Sequence, residues 1–420
     1  MTDRFFAEYR IETAIDPARA AEMMAGEQSS GTFIAIPGET AELKARFAAR
    51  VELVEALGEV SAPSLPGAMQ PEPGTSRGWK QARVRLSWPL ESIGLSLPNL
   101  VATVAGNLFE LKALSGIKLV DLELPVAFAK RYAGPKFGID GTRRLSGVEG
   151  RPLIGTIIKP SIGLDPAATA DVVDAMASGG IDFIKDDELQ SDGPACPFEA
   201  RVDAVMTVIN RHSDRLGRKV MFAFNITGDI DEMRRRHDHV LARGGTCVMM
   251  SLNSVGLTGF TEIARHSQLP IHGHRNGWGA LYRMPMLGWS FSAWSKLWRL
   301  AGADHLHVNG IANKFSEDDA SVIASARSLG SPLFRNAAMT VMPVFSSGQT
   351  IRQAAPTWAA LGSPDLIHAA GGGIVAHPDG IAAGVSAFRA AWDAAMAGIP
   401  LDDHARTHPA LRTALAAYPG

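Results

Sequence analysis

The sequence predicts an α/β protein: a carboxyl-terminal (β/α)8 TIM barrel preceded by a smaller amino-terminal α+β domain. Two observations predict the barrel. From about Leu153 onward, short apolar runs alternate with helical stretches, and eight such runs can be counted. Almost every run ends in a residue capable of chemistry, and the carboxyl ends of the strands are where a parallel barrel carries its active site. Length leaves room for both parts, since 420 residues are long for one domain and comfortable for two.

In the first third, Phe5 to Ile11 reads as a strand, Pro17 to Met24 as a helix capped by Asp16, and Gly31 to Ile36 as another strand. Ser61 to Arg77 is dense in Pro, Gly and Ser and reads as a long loop. Val84, Leu86 and Trp88 then alternate with polar residues, as a half-buried strand requires. Gly134-Pro135 and the polar stretch after it mark the expected boundary, giving domains 1–135 and 136–420. The expected barrel strands are Leu153 to Ile158, Phe183 to Lys185, Val220 to Asn225, Thr246 to Ser251, Ile271 to His274, His305 to Val308, Thr340 to Val344 and Leu366 to Ala369. Their ends bring Lys159, Lys185, Asn225, Asn253, His274 with Arg275, His307, Ser347 and the Gly371-Gly372-Gly373 turn to one rim. Core packing alone does not explain that collection.

Composition excludes several classes. Forty-one basic against forty-three acidic residues give a net charge of −2 with no basic block, which argues against a nucleic-acid partner. Cys196 and Cys247 are the only cysteines, so there is no disulfide framework and a reducing cytoplasm is the expected compartment. The first residues lack a charged segment followed by a long apolar run, and no later segment approaches membrane-spanning length. A soluble, cytoplasmic protein is expected.

The richest local signal is Lys185-Asp186-Asp187-Glu188, three carboxylates and a lysine where a buried strand emerges. Hard cations such as Mg²⁺ take oxygen ligands, commonly one or two carboxylates with water and substrate oxygens. A Mg²⁺ site is the chemical reading, and a solvated acidic loop the bland one. A neutral lysine amine can add CO₂ to form a carbamate, which would make Lys185, Asp187 and Glu188 an all-oxygen triad. Lys159 in Gly-Thr-Ile-Ile-Lys-Pro points at the barrel mouth, either as an acid/base group or as a side chain reaching solvent. Alternation puts His272 and His274 on one face, as a Zn²⁺ pair or as hydrogen-bonded structural histidines. Arg275 favours an anionic substrate, because guanidinium grips phosphate in the plane. His305 and His307 end the next strand, and the small-residue loop beyond them could swing Lys314 over a ligand. Ser346-Ser347-Gly348 and Gly371-Gly372-Gly373 follow the last two strands, where barrels build phosphate sites from backbone amides. Trp278 and Trp289 are read as core or pocket wall.

Taken in order, these motifs resemble those of a ribulose bisphosphate carboxylase large chain, and more specifically of the RuBisCO-like proteins that share its fold without fixing CO₂. The motifs are Gly-Thr-Ile-Ile-Lys-Pro, Asp-Phe-Ile-Lys-Asp-Asp-Glu, His-Gly-His-Arg, Asp-His-Leu-His, the Lys314 loop and Gly-Gly-Gly-Ile-Val-Ala-His-Pro. Glu27 with Ser30-Gly31-Thr32, and Gly106-Asn107, match segments that in the family reach into the partner's barrel. The resemblance implies a ferredoxin-like amino-terminal domain and a homodimer with active sites at the subunit interface. It implies Mg²⁺ held by carbamylated Lys185, Asp187 and Glu188, with Lys159 as an acid/base lysine. His274 would contact the metal-bound part of a phosphorylated substrate. Arg275, His307 and Ser347 would hold one phosphate, while Thr32, Asn107, Gly371 and Gly372 would line the rest of the substrate site. Lys314 would be the loop lysine that binds the carboxylate unit.

Departures from the carboxylases matter as much. Ser161 stands in place of a second lysine, Phe33 in place of a tryptophan, Gln349 of a glycine, Asn313 of a glycine and Trp278 of a histidine. One phosphate pocket is intact and the other rebuilt, so carboxylation of ribulose bisphosphate is not expected. The retained core fits an enediolate of a phosphorylated keto-sugar acid. Decarboxylation or carboxyl-releasing cleavage, of the type acting on 3-oxo-isoapionate 4-phosphate, is the reading that uses Lys314. Enolisation or isomerisation of a methylthio-pentulose or diketo phosphate in methionine salvage is the alternative. A silent phosphometabolite-binding dimer is the third reading, and the intact metal-ligand set argues against it.

Overall fold

In the computed structural model, which describes residues 3–30, 37–72 and 78–418, the strands run in chain order as β1 (Arg4–Thr13), β2 (Arg50–Val60), β3 (Trp79–Pro89), β4 (Gly116–Glu123), β5 (Leu153–Ile157), β6 (Phe183–Lys185), β7 (Met221–Asn225), β8 (Cys247–Ser251), β9 (Ile271–His274), β10 (Leu287–Trp289), β11 (His305–His307), β12 (Met342–Phe345) and β13 (Ile367–Ala369). They form an open sheet in the order β10-β4-β1-β3-β2 and a closed barrel of β5 to β9 with β11 to β13. The chain divides into two compact units, Met1–Tyr132 with Gly277–Trp298, and Ala133–Asn276 with Arg299–Gly420. The strand expected over 31–36, with Thr32 and Phe33, lies outside the described residues.

The first unit is built on alternation. Phe5, Ala7, Tyr9 and Ile11 of β1, and Ala82, Val84, Leu86 and Trp88 of β3, are all essentially inaccessible. One sheet face is therefore apolar, and each such aliphatic or phenyl side chain contributes roughly 1.5–3 kcal/mol on burial. Helix Pro17–Glu27 covers that face with Ala20, Ala21, Met24 and Ala25, and helix Leu97–Ala105 with Leu97, Leu100 and Val104. Asp16 caps the first helix, its carboxylate accepting from the Ala18 and Arg19 amides. β1 pairs antiparallel with β3 and β4, and β2 with β3. Strand, helix, two strands, helix and strand in the order β4-β1-β3-β2 is the ferredoxin-like arrangement. A later piece of chain adds β10 parallel to β4, fastened by Lys118 Nζ, which donates to the carbonyls of Tyr282 at 2.7 Å and Met284 at 2.9 Å. Trp278 is a wall residue there, stacked on Tyr282 and packed against Trp294.

In the second unit every neighbouring strand pair of the barrel is parallel. Leu153, Phe183, Met221, Ala223, Cys247, Met249, Met342, Val344, Ile367 and Ala369 form its buried interior cluster. Side chains alternate along a strand, so the residues two further on share that parity. Phe183 leads to Lys185, Ala223 to Asn225, Val344 to Ser346 and Ala369 to Gly371; His307 follows His305 in the same way. The packed core thus hands over to polar chemistry within one strand step. At the other end, Asp304 accepts from the amides of Phe137, Gly138 and Ile271 at 2.7 to 2.8 Å. Asp182 anchors Arg151 and Arg218 in the same region.

The eight barrel strands match expectation with shifts of a residue or two. The largest is β12, expected over Thr340 to Val344 and observed over Met342–Phe345. Val341 instead donates its amide to the Leu329 carbonyl, a contact of the approach rather than of the ladder. Among the described residues, no helix is long and apolar enough to cross a membrane.

Candidate active site

β5 ends two residues before Lys159, whose Nζ lies 2.6 Å from Asp187 Oδ2 and 2.7 Å from Ser161 Oγ. β6 ends on Lys185, whose side chain is 1% exposed. Its Nζ donates to the Asp186 carbonyl at 2.9 Å and faces Glu188 Oε2 at 3.4 Å. Burial lowers the Lys185 pKa, partly offset by Glu188 and Asp187. Asp186 turns the other way, into a fully buried pair with Arg201 at 3.2 Å, and its Oδ2 also accepts from the Asn225 amide. Asn225 then donates its side-chain amide to the carbonyls of Asp187 and Glu188. Asn225 of β7 thus holds the backbone that carries the Asp187 and Glu188 carboxylates.

His274 Nε2 sits 3.4 Å from Glu188 Oε2. Burial, reinforced by Lys185, depresses His274. The charge of this pair rests on the carboxylate. His272 and His307 meet through their Nε2 atoms at 2.7 Å, and His307 Nδ1 reaches Ser346 Oγ at 3.0 Å. Both are fully buried and pushed well below the ordinary histidine value. One ring therefore donates and the other accepts, neither being charged.

Arg275, His307 and Ser347 fall in one connected network, His307 entering it through Ser346 Oγ, which lies 3.5 Å from Ser347 Oγ. Arg275 is paired with Glu317 at 2.6 Å, Asn309 donates to the same Glu317 oxygen at 2.8 Å, and Ser347 Oγ donates to Asn309 Oδ1 at 3.0 Å. Glu317, almost fully buried, is the hub that reading the sequence missed. Lys314 follows on that loop. Its amide donates to the Ser347 carbonyl at 3.4 Å, and its Nζ rests 5.3 Å from the centre of the Phe315 ring. A Cβ on Gly371 would stand 3.5 Å from Lys159 Cε, which puts the glycine turn beside that lysine.

Other candidates lie elsewhere. Asn107 bonds to Glu27 at 3.3 Å within the first unit. Asn253 sits in helix Leu252–His266 and donates to the Asn276 carbonyl at 2.7 Å. His305, buried, pairs with Thr142 at 2.8 Å as a structural residue. A separate cluster of His237, Asp238 and His266 has ligand atoms close enough for a metal. However, His237 Nε2 accepts from the Gln268 amide, so its proton sits on Nδ1 and points at Asp238. That cluster is a hydrogen-bond relay.

The donor set at Lys185, Asp187 and Glu188 suits a hard divalent cation. Two carboxylates with different neighbours present oxygens, and no soft ligand is among them. As an ammonium the lysine brings only hydrogens, so it joins an oxygen set only after losing its proton and gaining an acid group.

Residues 138–418 match the ribulose bisphosphate carboxylase large chain catalytic domain and residues 2–128 its N-terminal domain. A 3-oxo-isoapionate-4-phosphate transcarboxylase/hydrolase of Xanthobacter autotrophicus is 63% identical over 415 residues, covering 99% of both chains. A 3-oxo-isoapionate-4-phosphate decarboxylase of Rhizobium etli is 44% identical over 412 residues, covering 98% of this chain and 97% of its own. The crystal structure of a RuBisCO-like protein from Burkholderia fungorum superposes with a TM-score of 0.93 at 47% identity, covering 99% of this chain and all of that one. With both domains matched in order and the barrel rim carrying the motif residues, the chain belongs to the ribulose bisphosphate carboxylase large-chain family, in its RuBisCO-like branch.

Proposed function

We propose that this protein breaks the bond between the carboxyl carbon and the rest of a phosphorylated 3-oxo sugar acid, with 3-oxo-isoapionate 4-phosphate as substrate. The observation that carries the reading is the pairing of a retained loop lysine, Lys314, with the Arg275–His307–Ser347 network that its own loop joins. Proton shuffling alone has little use for a second cation aimed at a carboxylate. Relatives named for this substrate at 63% and 44% identity over nearly the whole chain support it.

A 3-oxo acid carries its ketone β to the carboxylate, so cleavage leaves electrons that the ketone can accept as an enolate. Asp187, Glu188 and Lys185 as its carbamate would hold Mg²⁺, which would supply Lewis-acid stabilisation of that charge. Lys314 binds the carboxylate. Arg275, His307 and Ser347 hold the phosphate, with Glu317 keeping the guanidinium plane in place. Lys159, bridged to Asp187 and Ser161, delivers a proton to the carbon left behind. His274, neutral beside Glu188, donates to a substrate hydroxyl. Gly371, beside Lys159, and Gly372 line the remaining part of the substrate site.

The working unit is a homodimer with active sites at the subunit interface. Ile162, Leu189 and Phe315 are 56 to 67% exposed on barrel loops, an apolar rim that a second copy would cover.

The test is product detection by NMR, with Mg²⁺ and bicarbonate, on a panel of 3-oxo-isoapionate 4-phosphate, methylthioribulose phosphate, the diketo-methylthiopentyl phosphate and ribulose bisphosphate. Turnover of the first alone is expected. Isomerisation or deuterium uptake in a methylthio compound, with the keto acid untouched, sinks the reading.

A further inference from the structure

Gln349 follows β12 and is 2% exposed, with a side chain that none of the roles above uses. Its Oε1 lies 3.1 Å from His368 Nε2, and Trp392 Nε1 lies 3.1 Å from His368 Nδ1. Indole nitrogen can only donate, so His368 Nδ1 accepts and its Nε2 carries the proton toward Gln349. Burial pushes His368 down to about 3, which keeps that single neutral tautomer in place at working pH. The tautomer in turn orients the amide. Its nitrogen faces the carbonyls of Ile311 at 3.2 Å and Ser347 at 3.3 Å.

Those two carbonyls are the base of the Lys314 loop. Ser347 O also accepts from the Lys314 amide. Ile311 lies between Asn309 and Ala312, two non-glycine residues in the left-handed region with φ of 68° and 49°. Such a turn persists only when its surroundings over-determine it. The Ala312 amide donates to Asp319 at 2.8 Å, and the Asn313 side chain donates to the carbonyls of Gly310 and Glu317. Gly310 has a different reason to be glycine. A Cβ there would run into the amide carbon, oxygen and nitrogen of Gln349.

We infer that Gln349 is a positioning residue, whose amide, oriented by the Trp392–His368 relay, fixes the base of the loop that carries Lys314, with Gly310 as its sterically matched counterpart. The relay runs from helix Ile381–Ala397 through β13 to the loop, so the place of Lys314 is set from the outer layer of the barrel. The catalytic consequence rests on the reading that Lys314 acts on the substrate; the structural claim does not.

The experiment measures amide hydrogen exchange over residues 309–316, and turnover of 3-oxo-isoapionate 4-phosphate, on the full chain. The variants are Gln349→Met, Gln349→Ala, Gly310→Ala and the Gln349→Ala/Gly310→Ala pair. Methionine keeps the volume and removes the amide. Loop exchange about tenfold faster is expected for Gln349→Met and Gly310→Ala, the size of one or two lost buried hydrogen bonds, with strand amides unchanged. Turnover should fall in kcat with KM within about twofold. Once Gln349→Ala is in place, adding Gly310→Ala should change loop exchange by less than about twofold, because the clash has no partner left. If Gln349→Met loosens the strands as well, that non-additivity decides alone. Wild-type loop exchange in both Gln349→Met and Gly310→Ala, or additive effects in the pair, overturns the inference. Faster loop exchange with unchanged turnover upholds it and removes the role given to Lys314 instead.

Discussion

Lys159 Nζ lies 2.6 Å from Asp187 Oδ2, so the lysine at the end of β5 is charge-paired with a carboxylate of the loop after β6. The contact puts a proton donor directly beside the proposed metal ligands. Lys159→Met should therefore lower kcat by about 10²-fold or more, the usual range for a general acid, while KM stays within a few-fold. Steady-state kinetics decide. An equal rise in KM with kcat retained would make Lys159 a binding group only.

Asp186 and Arg201 form a pair with both side chains fully buried. Removing one partner strands the other charge, at a cost of about 3–5 kcal/mol. Arg201→Met should lower the thermal midpoint sharply, and Asp186→Asn/Arg201→Met should recover a large part of the loss. A double variant no more stable than the single one would argue against the pair as the cause.

His305 and His368 are both buried and depressed to about 3. Their folded pKa lies below the unfolded value, so the unfolded chain binds more protons between about pH 6.5 and 3. Neutral histidines support the fold above pH 6.5, and that support is lost as pH falls through this window. Each contributes a slope of about 1.4 kcal/mol per pH unit. His305→Gln should reduce the pH dependence of urea stability between pH 6 and 5 by about that amount. Asp304, raised to about 6 by burial, works in the opposite direction, and the variant comparison removes it from the difference. An unchanged slope would mean that His305 is not buried neutral.

The barrel was legible because its strands combine apolar runs with polar ends, a pattern set by parity along each strand. β2 was not, since Arg50, Glu52, Glu55 and Glu59 give it the polarity of an edge strand. β10 is three residues long and joins a sheet laid down more than 160 positions earlier. The cluster around Lys185 was readable as four adjacent residues. The Glu317 hub and the Gln349–His368–Trp392 relay were not, because their members meet only in the folded chain. Gly310 looks like loop flexibility in the sequence, and in the structure it makes room for a side chain 39 residues away.

Lys314→Ala should lower kcat for 3-oxo-isoapionate 4-phosphate by about 10²-fold or more, in the range of lost electrostatic stabilisation at a developing charge. Phosphate binding through Arg275 should persist, read as an unchanged inhibition constant for inorganic phosphate. Full turnover in this variant would leave the lysine without a role in cleavage.

The most direct measurement follows the carboxyl carbon itself. With 3-oxo-isoapionate 4-phosphate labelled with ¹³C at the carboxyl position, carbon NMR reads where the label goes in the presence of Mg²⁺ and bicarbonate. The label should leave its original carbon, appearing as bicarbonate or in a new carboxylate product. Label still bonded to its original carbon, while solvent deuterium enters the sugar chain, would contradict this and make the protein an enolising or isomerising enzyme.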